Sequence, residues 1–183
     1  MLLLMGKTCA GKDTVQNILI SKFGMKNVIS YTTRPMRVGE TNGVQYWFIT
    51  EEEFLRKVKE GFFAEVITYK DKNRNTIYYG GAKEDFSDEK VMIVNVDGLA
   101  QIREFDDINS VAFFLNVSNE IIHERLIGRG DDEETARSRV EQDNKMFAGI
   151  EDKVEFVLDN ENVIPDEMAI RIYNLYQSYI KTK

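Results

Sequence analysis

The 183-residue chain has one cysteine, one histidine and two prolines. Cys9 alone closes no internal disulfide, and the sequence offers no Cys/His set for a zinc site, so a reducing compartment is expected. With so little proline and only 12 glycines, no flexible linker or disordered tract is expected. Long apolar runs are also missing. The opening MLLLM stops at Gly6, too short and too weakly flanked for a signal peptide, and no run approaches the ~20 residues that span a bilayer. Positive charge is in deficit, with 24 basic against 31 acidic residues and a net charge of −7. A chain of this sign repels a nucleic-acid backbone, which argues against extended DNA or RNA binding. It does not exclude a small anion. Six of the ten arginines fall in two clusters, Arg34/Arg37 and Arg125/Arg129/Arg137/Arg139. A cytoplasmic protein with no membrane or nucleic-acid partner is expected.

Apolar periodicity supplies the outline. Leu2 to Met5 reads as a strand buried on both faces, and Thr14 to Phe23 as a helix with Val15, Ile18, Leu19 and Phe23 on one stripe. Val28–Ile29 predicts a short strand, Ser30 to Gly43 a polar loop, and Val44 to Ile49 another strand. Thr50-Glu51-Glu52-Glu53 is a capping box, opening a helix that buries Phe54, Leu55 and Val58 and ends at Gly61. Phe62–Tyr69 and Thr76–Tyr79 predict a hairpin across a polar turn at 71–75. Beyond it, Val91–Val96, Val111–Val117 and Val154–Leu158 predict buried strands. Ser118 caps a helix carrying Ile121, Ile122 and Leu126, residues 128–139 suggest a mobile charged segment, and Met168, Ile172, Tyr176 and Tyr179 mark a last helix. Strands alternating with helices imply a doubly wound parallel α/β core with helices on both faces.

Gly6-Lys7-Thr8-Cys9-Ala10-Gly11-Lys12 fits G-x-x-x-x-G-K, after a buried strand and before an amphipathic helix. Glycines let successive N–H groups turn inward, the helix adds its positive end, and Lys12 brings a charge to the β- and γ-phosphates of ATP. The motif expects Ser or Thr next, as a Mg²⁺ ligand; this chain has Asp13. Its carboxylate either binds the metal, directly or through water, or repels the phosphates. Thr14 is no simple substitute, because one residue along a helix turns the side chain by about 100°. Cys9 reads as a small loop filler. The bland alternative is a glycine-rich turn with an incidental lysine.

Ser30-Tyr31-Thr32-Thr33-Arg34-Pro35-Met36-Arg37-Val38-Gly39-Glu40 closely resembles the signature of guanylate kinases. Asn42 to Tyr46, Phe63-Ala64-Glu65, Tyr78-Tyr79-Gly80, Val94 to Asp97, Arg125 to Gly130 and Phe156 to Asn160 continue the resemblance in order over nearly the whole chain. It implies phosphate transfer from ATP to GMP or dGMP with Mg²⁺, and a P-loop fold with an α+β acceptor lobe and a helical lid. By resemblance, Arg34, Arg37, Tyr46 and Tyr79 hold the acceptor phosphate, as arginine forks and phenol donors can. Ser30 and Glu65 read the base: one carboxylate accepts guanine's N1–H and 2-amino donors, a pair that adenine lacks. Asn160 contacts the ATP base. The ATP set is then Gly6, Thr8, Cys9, Ala10, Gly11, Lys12, Asp13, Thr14 and Asn160. The GMP set is Ser30, Arg34, Arg37, Tyr46, Glu65, Tyr79, Gly81 and Asp97. Lys12, Arg34, Asp97, Arg129 and Arg139 are the catalytic candidates, the last two as lid arginines over the transferring group. Asp13 and Asp97 are the metal candidates.

The chain departs from the family at three places. Gly81 stands where a Ser or Thr is usual, Asn95 where Asp is frequent, and the hairpin turn before Tyr78 is longer. Taken alone, Arg34 and Arg37 read as a solvated basic turn, Glu65 as an outward strand residue, and Arg137 as an i,i+4 partner of Glu133; His123 and Trp47 read as structural. The expected layout is one domain over 1–183, with a core at about 1–30 and 88–183, an acceptor lobe at about 31–87 and a lid at about 128–147, as monomer or homodimer. The rival readings are a related kinase for another nucleotide or a phosphorylated sugar, a non-catalytic protein-binding domain of guanylate-kinase type, and a P-loop switch.

Overall fold

In a computed structural model describing residues 1–71 and 73–182, strand β1 (Leu2–Gly6) is fully buried and central. It runs into helix α1 (Lys12–Phe23). There follow the short strands β2 (Lys26–Asn27), β3 (Tyr31–Thr32) and β4 (Trp47–Phe48), helix α2 (Glu51–Lys59), and strands β5 (Phe63–Lys70) and β6 (Thr76–Ala82). Then come β7 (Lys90–Ile93), α3 (Val96–Ile102), β8 (Val111–Asn116), α4 (Asn119–Gly128), α5 (Glu133–Met146), β9 (Phe156–Asp159) and α6 (Pro165–Lys181). Five strands form a parallel sheet in the order β2-β7-β1-β8-β9. The other four form a second sheet, β4-β3-β6-β5.

The strand period of two explains why β1 is apolar throughout. Leu2 and Leu4 face one core, with Val15 and Leu19 of α1, Ile122 of α4, and Ile172 and Tyr176 of α6. Leu3 and Met5 face the other, with Leu99 and Ile102 of α3, Phe114, and Phe147 just past α5. The core is therefore a doubly wound parallel sheet with helices on both faces, as the alternation of elements implies.

Several boundaries differ from the sequence reading. Val28–Ile29 is no strand: β2 pairs with β7 only at Lys26–Asn27, and Val28 plugs the core at 3% exposure. Val44–Ile49 shrinks to two residues, because Asn42-Gly43 starts turns in which Gly43 N–H donates to Tyr46 O and Val44 N–H to Thr41 O. The cap at Thr50 holds, its hydroxyl accepting from Glu53 N–H at 3.2 Å. Of the predicted buried face, however, only Phe54 is buried, stacked 4.6 Å from Phe63, while Leu55 and Val58 reach solvent. The small second sheet offers α2 one aromatic cluster to cover. The hairpin forms as predicted, though Lys72 in its turn lies outside the described residues. Ser118 precedes α4, but its hydroxyl makes no cap; instead its N–H donates to Glu161 Oε1. Residues 133–139 are helical, opened by Asp132, whose carboxylate accepts from Thr135 N–H.

The largest correction concerns Asp97. Strand β7 stops at Ile93, and Asn95 caps a helix that the sequence reading missed, accepting from Gly98 N–H at 2.8 Å. Asp97 therefore sits exposed in the first turn of α3, not at the end of a strand.

Candidate active site

Two clusters of polar groups lie on the two sheets. The first surrounds the loop between β1 and α1. Gly11 has φ +92, a left-handed value that a side chain resists, and a Cβ there would meet Asn160 Nδ2 at 2.9 Å. That close approach has a purpose: Asn160, buried at the end of β9, donates to Ala10 O at 2.8 Å and braces the loop. Lys12 Nζ curls back to donate to Gly6 O and Lys7 O, both at 2.8 Å. Burial lowers its pKa, while Asp13 and Asp143 nearby oppose the shift. A cleft of about 400 Å³ opens here between Lys12, Asp13 and Thr14 on one side and Arg125 and Arg129 on the other. The neighbouring 250 Å³ hollow continues it along Thr14, Val15 and Asn160.

Of the two arginines expected over the transferring group, Arg129 reaches the loop, with Nη1 3.2 Å from Cys9 Sγ. Arg125, of the same arginine cluster, is the better anchored: it donates to Cys9 O at 2.9 Å and to Glu161 O at 3.2 Å. Arg139 is paired with Asp131 at 2.8 Å and does not join the loop. Arg137 bonds Glu133, the bland reading it was given. His123 also lies against Glu133, at 3.3 Å.

Asp143 was missed from sequence. Set on α5, it is 9% exposed, and its Oδ2 accepts from Thr8 N–H at 2.6 Å. Beside it, Lys7 Nζ donates to Asn144 Oδ1 at 2.6 Å and Asn119 Oδ1 at 2.9 Å. These side chains tie α4 and α5 to the loop. In sequence, Asp143 is one polar residue among many on a charged helix, and only tertiary packing turns it inward.

The second cluster lies on the sheet β4-β3-β6-β5. Arg34 forks onto Glu40 at 2.7 and 3.0 Å and lies 5.5 Å from the Tyr46 ring centre. Glu40 and then Tyr79 hold the guanidinium charged. The Tyr46 and Tyr79 rings are 5.6 Å apart. Burial raises the Tyr46 phenol, with Tyr79 and Glu40 adding and Arg34 and Arg37 opposing. Arg34, Arg37, Tyr46 and Tyr79 are thus gathered, as predicted. Glu40, whose carboxylate also accepts from Arg37 N–H at 2.7 Å, neutralises the fork in this state and was overlooked. It stands within the quoted signature and could have been found there as the acid facing two arginines.

Strand register assembles the rest. In the antiparallel ladder Tyr31 faces Gly80, so Ser30 falls beside Gly81; across β6, Gly81 faces Glu65. Glu65 is 2% exposed. Its Oε1 accepts from Gly81 N–H at 2.9 Å, and its Oε2 is buried with no partner. Burial pushes this carboxyl up to about 7, against the pull of the Gly81 amide. A wanting acceptor beside a chargeable, half-occupied carboxyl is a place for a ligand donor.

A strand, a glycine-rich loop ending in Lys12, a helix and two arginines of α4 and its C-cap beside that loop, with a second cluster of arginines and tyrosines on the smaller sheet, define a P-loop kinase for a small phosphorylated acceptor. Comparison with known proteins narrows the class. The sequence profile of the guanylate kinase family matches residues 1–172. The guanylate kinase of Fusobacterium nucleatum is 34% identical over 166 residues, covering 86% of each chain. That of Helicobacter hepaticus is 31% identical over 180 residues, covering 92% of this chain and 86% of its own. The crystal structure of guanylate kinase from Anaplasma phagocytophilum superposes with a TM-score of 0.68 over 98% of this chain and 85% of that one, at 23% identity, and confirms the fold. The chain belongs to the guanylate kinase family, whose activity is transfer of the ATP γ-phosphate to GMP. No described helix is long and apolar enough to cross a membrane.

Proposed function

We propose that the phosphate-loop cleft holds ATP, that the β4-β3-β6-β5 sheet holds GMP or dGMP, and that the two meet in line for transfer. The observation that carries this reading is Glu65: a dry carboxylate with one oxygen spoken for and one unpaired. Guanine offers two adjacent donors to such a group, and the Ser30 hydroxyl is available to donate to O6. Arg34, Arg37, Tyr46 and Tyr79 take the acceptor phosphate. Its two or so charges exceed the single charge of Glu40, so the phosphate can draw the Arg34 fork away. Gly6, Thr8, Cys9, Ala10, Gly11, Lys12, Asp13 and Thr14 form the ATP phosphate cradle, and Asn160 keeps its edge in shape. Arg129, with Arg125 beside it, brings positive charge over the transferring group. Arg139 reaches it only by leaving Asp131 as the lid closes. On this reading 31–87 is the acceptor lobe and 128–147 the lid, the protein acts in the cytoplasm, and it works as monomer or homodimer.

Mg²⁺ suits the donor set. It binds through one or two carboxylates plus substrate phosphates, so the lack of any described three-residue acidic cluster is no obstacle. Asp13, exposed at the cleft rim beside Lys12, is the residue to hold it, with Asp97 a second carboxylate acting through water. The ion would neutralise charge on the phosphates as it builds. Replacing Asp13 with Ser is expected to weaken the Mg²⁺ enhancement of ATP affinity several-fold, measured by fluorescence titration with and without the ion. A clear gain on that substitution would sink the assignment.

The acceptor is tested by coupled assay of ADP formation against a panel of nucleoside monophosphates. Turnover confined to GMP and dGMP supports the reading; equal turnover with AMP overturns it.

A further inference from the structure

Gly81, like its neighbour Gly80, is a glycine of β6 whose side-chain space is already taken. Its backbone needs no left-handed angle, yet it has no room for a side chain. A Cβ built there lies 2.9 and 3.0 Å from Cε2 and Cζ of Phe86, and 3.4 Å from Glu65 Oε1. The edge of one aromatic ring and the oxygen of the buried carboxylate therefore close on the same point. The ring is held there. Phe86 N–H donates to Lys83 O at 3.1 Å, Lys83 N–H ties the turn to Phe62 O at 3.1 Å, and Asp85 pairs with Lys90 at 3.2 Å.

We propose that Phe86 is a specificity-determining positioning residue: its ring takes the volume of a side chain at position 81 and bars water from Glu65, so that the carboxylate meets the acceptor base dry. The inference rests on the reading of Glu65 as the group that recognises guanine. A dry acceptor makes stronger bonds to matching donors and punishes a mismatched base more, since no water repairs the lost bonds. The cost falls on the carboxylate itself, which burial holds at about 7.

The charged and titratable neighbours do not account for that displacement. Tyr69 on the same strand feels Glu65 and, around it, Tyr79 of β6, Tyr46 and Asp97 of α3. Glu84 and Asp85, on the turn that carries Phe86, act on Tyr31. None of these groups contributes to the Glu65 displacement, whose causes are burial and, opposing it, the Gly81 amide. Phe86 is the apolar side chain that closes on Gly81 beside the carboxylate, and it can be removed.

The test is a ¹³C NMR titration of the Glu65 carboxyl in the full, unliganded chain, assigned by its loss in Glu65→Gln. Phe86→Ala is expected to lower the midpoint by about one pH unit or more, a tenfold change in proton affinity. Phe86→Leu, which keeps more of the apolar volume and guards against a variant that fails to fold, should shift it less in the same direction. The same variants should raise KM for GMP about tenfold with kcat within about twofold, and narrow the preference over AMP. A midpoint unmoved in both variants overturns the role of Phe86, as does a moved midpoint with GMP KM unchanged. The titration reports on Phe86 whether or not Glu65 reads the base. That reading fails separately, if Glu65→Gln keeps the full GMP-over-AMP preference.

Discussion

Lys12→Met is expected to lower kcat by on the order of 10³ while leaving the thermal midpoint no lower than in the parent protein. Phosphoryl transfer asks the protein for positioning and for charge where charge builds. Whereas Lys7 points away to Asn119 and Asn144, Lys12 is the ammonium that folds into the phosphate loop. Without nucleotide it is spent on Gly6 O and Lys7 O at 2.8 Å. Those carbonyls hold it in a buried place that lowers its pKa. The buried charge is thus a burden on the empty fold and an asset only once phosphate arrives. Methionine keeps most of the stem's packing and removes the charge, so folding should lose little. The check is a steady-state assay beside a calorimetric melt. Activity within tenfold of the parent would show that Arg125 and Arg129 alone carry the phosphate, and a collapsed melt would show that the loss was structural.

That loop was also the most legible part of the sequence, and the reason is physical. Its spacing encodes backbone geometry, which is local: a buried strand, glycine at a left-handed position, and a helix start. Likewise the β1 apolar run and the α6 stripe through Met168, Ile172 and Tyr176 follow from periods of two and 3.6. What the sequence hid depends on contacts between distant segments. Asp143 meets Thr8 across 135 residues, and Glu65 takes the Gly81 N–H across the β5–β6 ladder. Asp97 was misplaced for a smaller reason. Val91 to Val96 is apolar enough for a strand, but the strand stops at Ile93, three residues short of Val96, and the Asn95 side chain bonds Gly98 N–H to open a helix. Likewise, the signature points to Arg34 and Arg37, which the structure gathers with Tyr46 and Tyr79, but not to Glu40, the acid that holds the fork. Motifs reveal which groups a ligand needs; they say less about what those groups do without it.

Glu65→Gln should show that difference in two opposite directions. Toward GMP, kcat/KM is expected to fall by on the order of 10³ or more, because an amide puts N–H donors against the donors of guanine. The Gly81 N–H bond at 2.9 Å can be kept by the amide oxygen, which leaves the nitrogen at the unpartnered Oε2 position, the one proposed to meet the base. Toward stability the change should help. A carboxyl whose folded pKa is raised to about 7 favours the folded state only while protonated. Between the ordinary carboxylate value and 7 the unfolded chain releases the proton and the folded chain keeps it, so stability falls as pH rises through that window. At ~1.4 kcal/mol per pH unit of displacement, the penalty above pH 7 is on the order of 3 kcal/mol, and glutamine, which does not titrate, avoids it. Denaturant melts at pH 5 and pH 8 read this directly: the advantage of Glu65→Gln should be small at pH 5 and largest at pH 8. A flat difference across that range would mean that water reaches Glu65 and that the site is not dry. A stabilised variant that still prefers GMP would mean that the carboxylate is buried for packing, and that Ser30 and the backbone read the base without it.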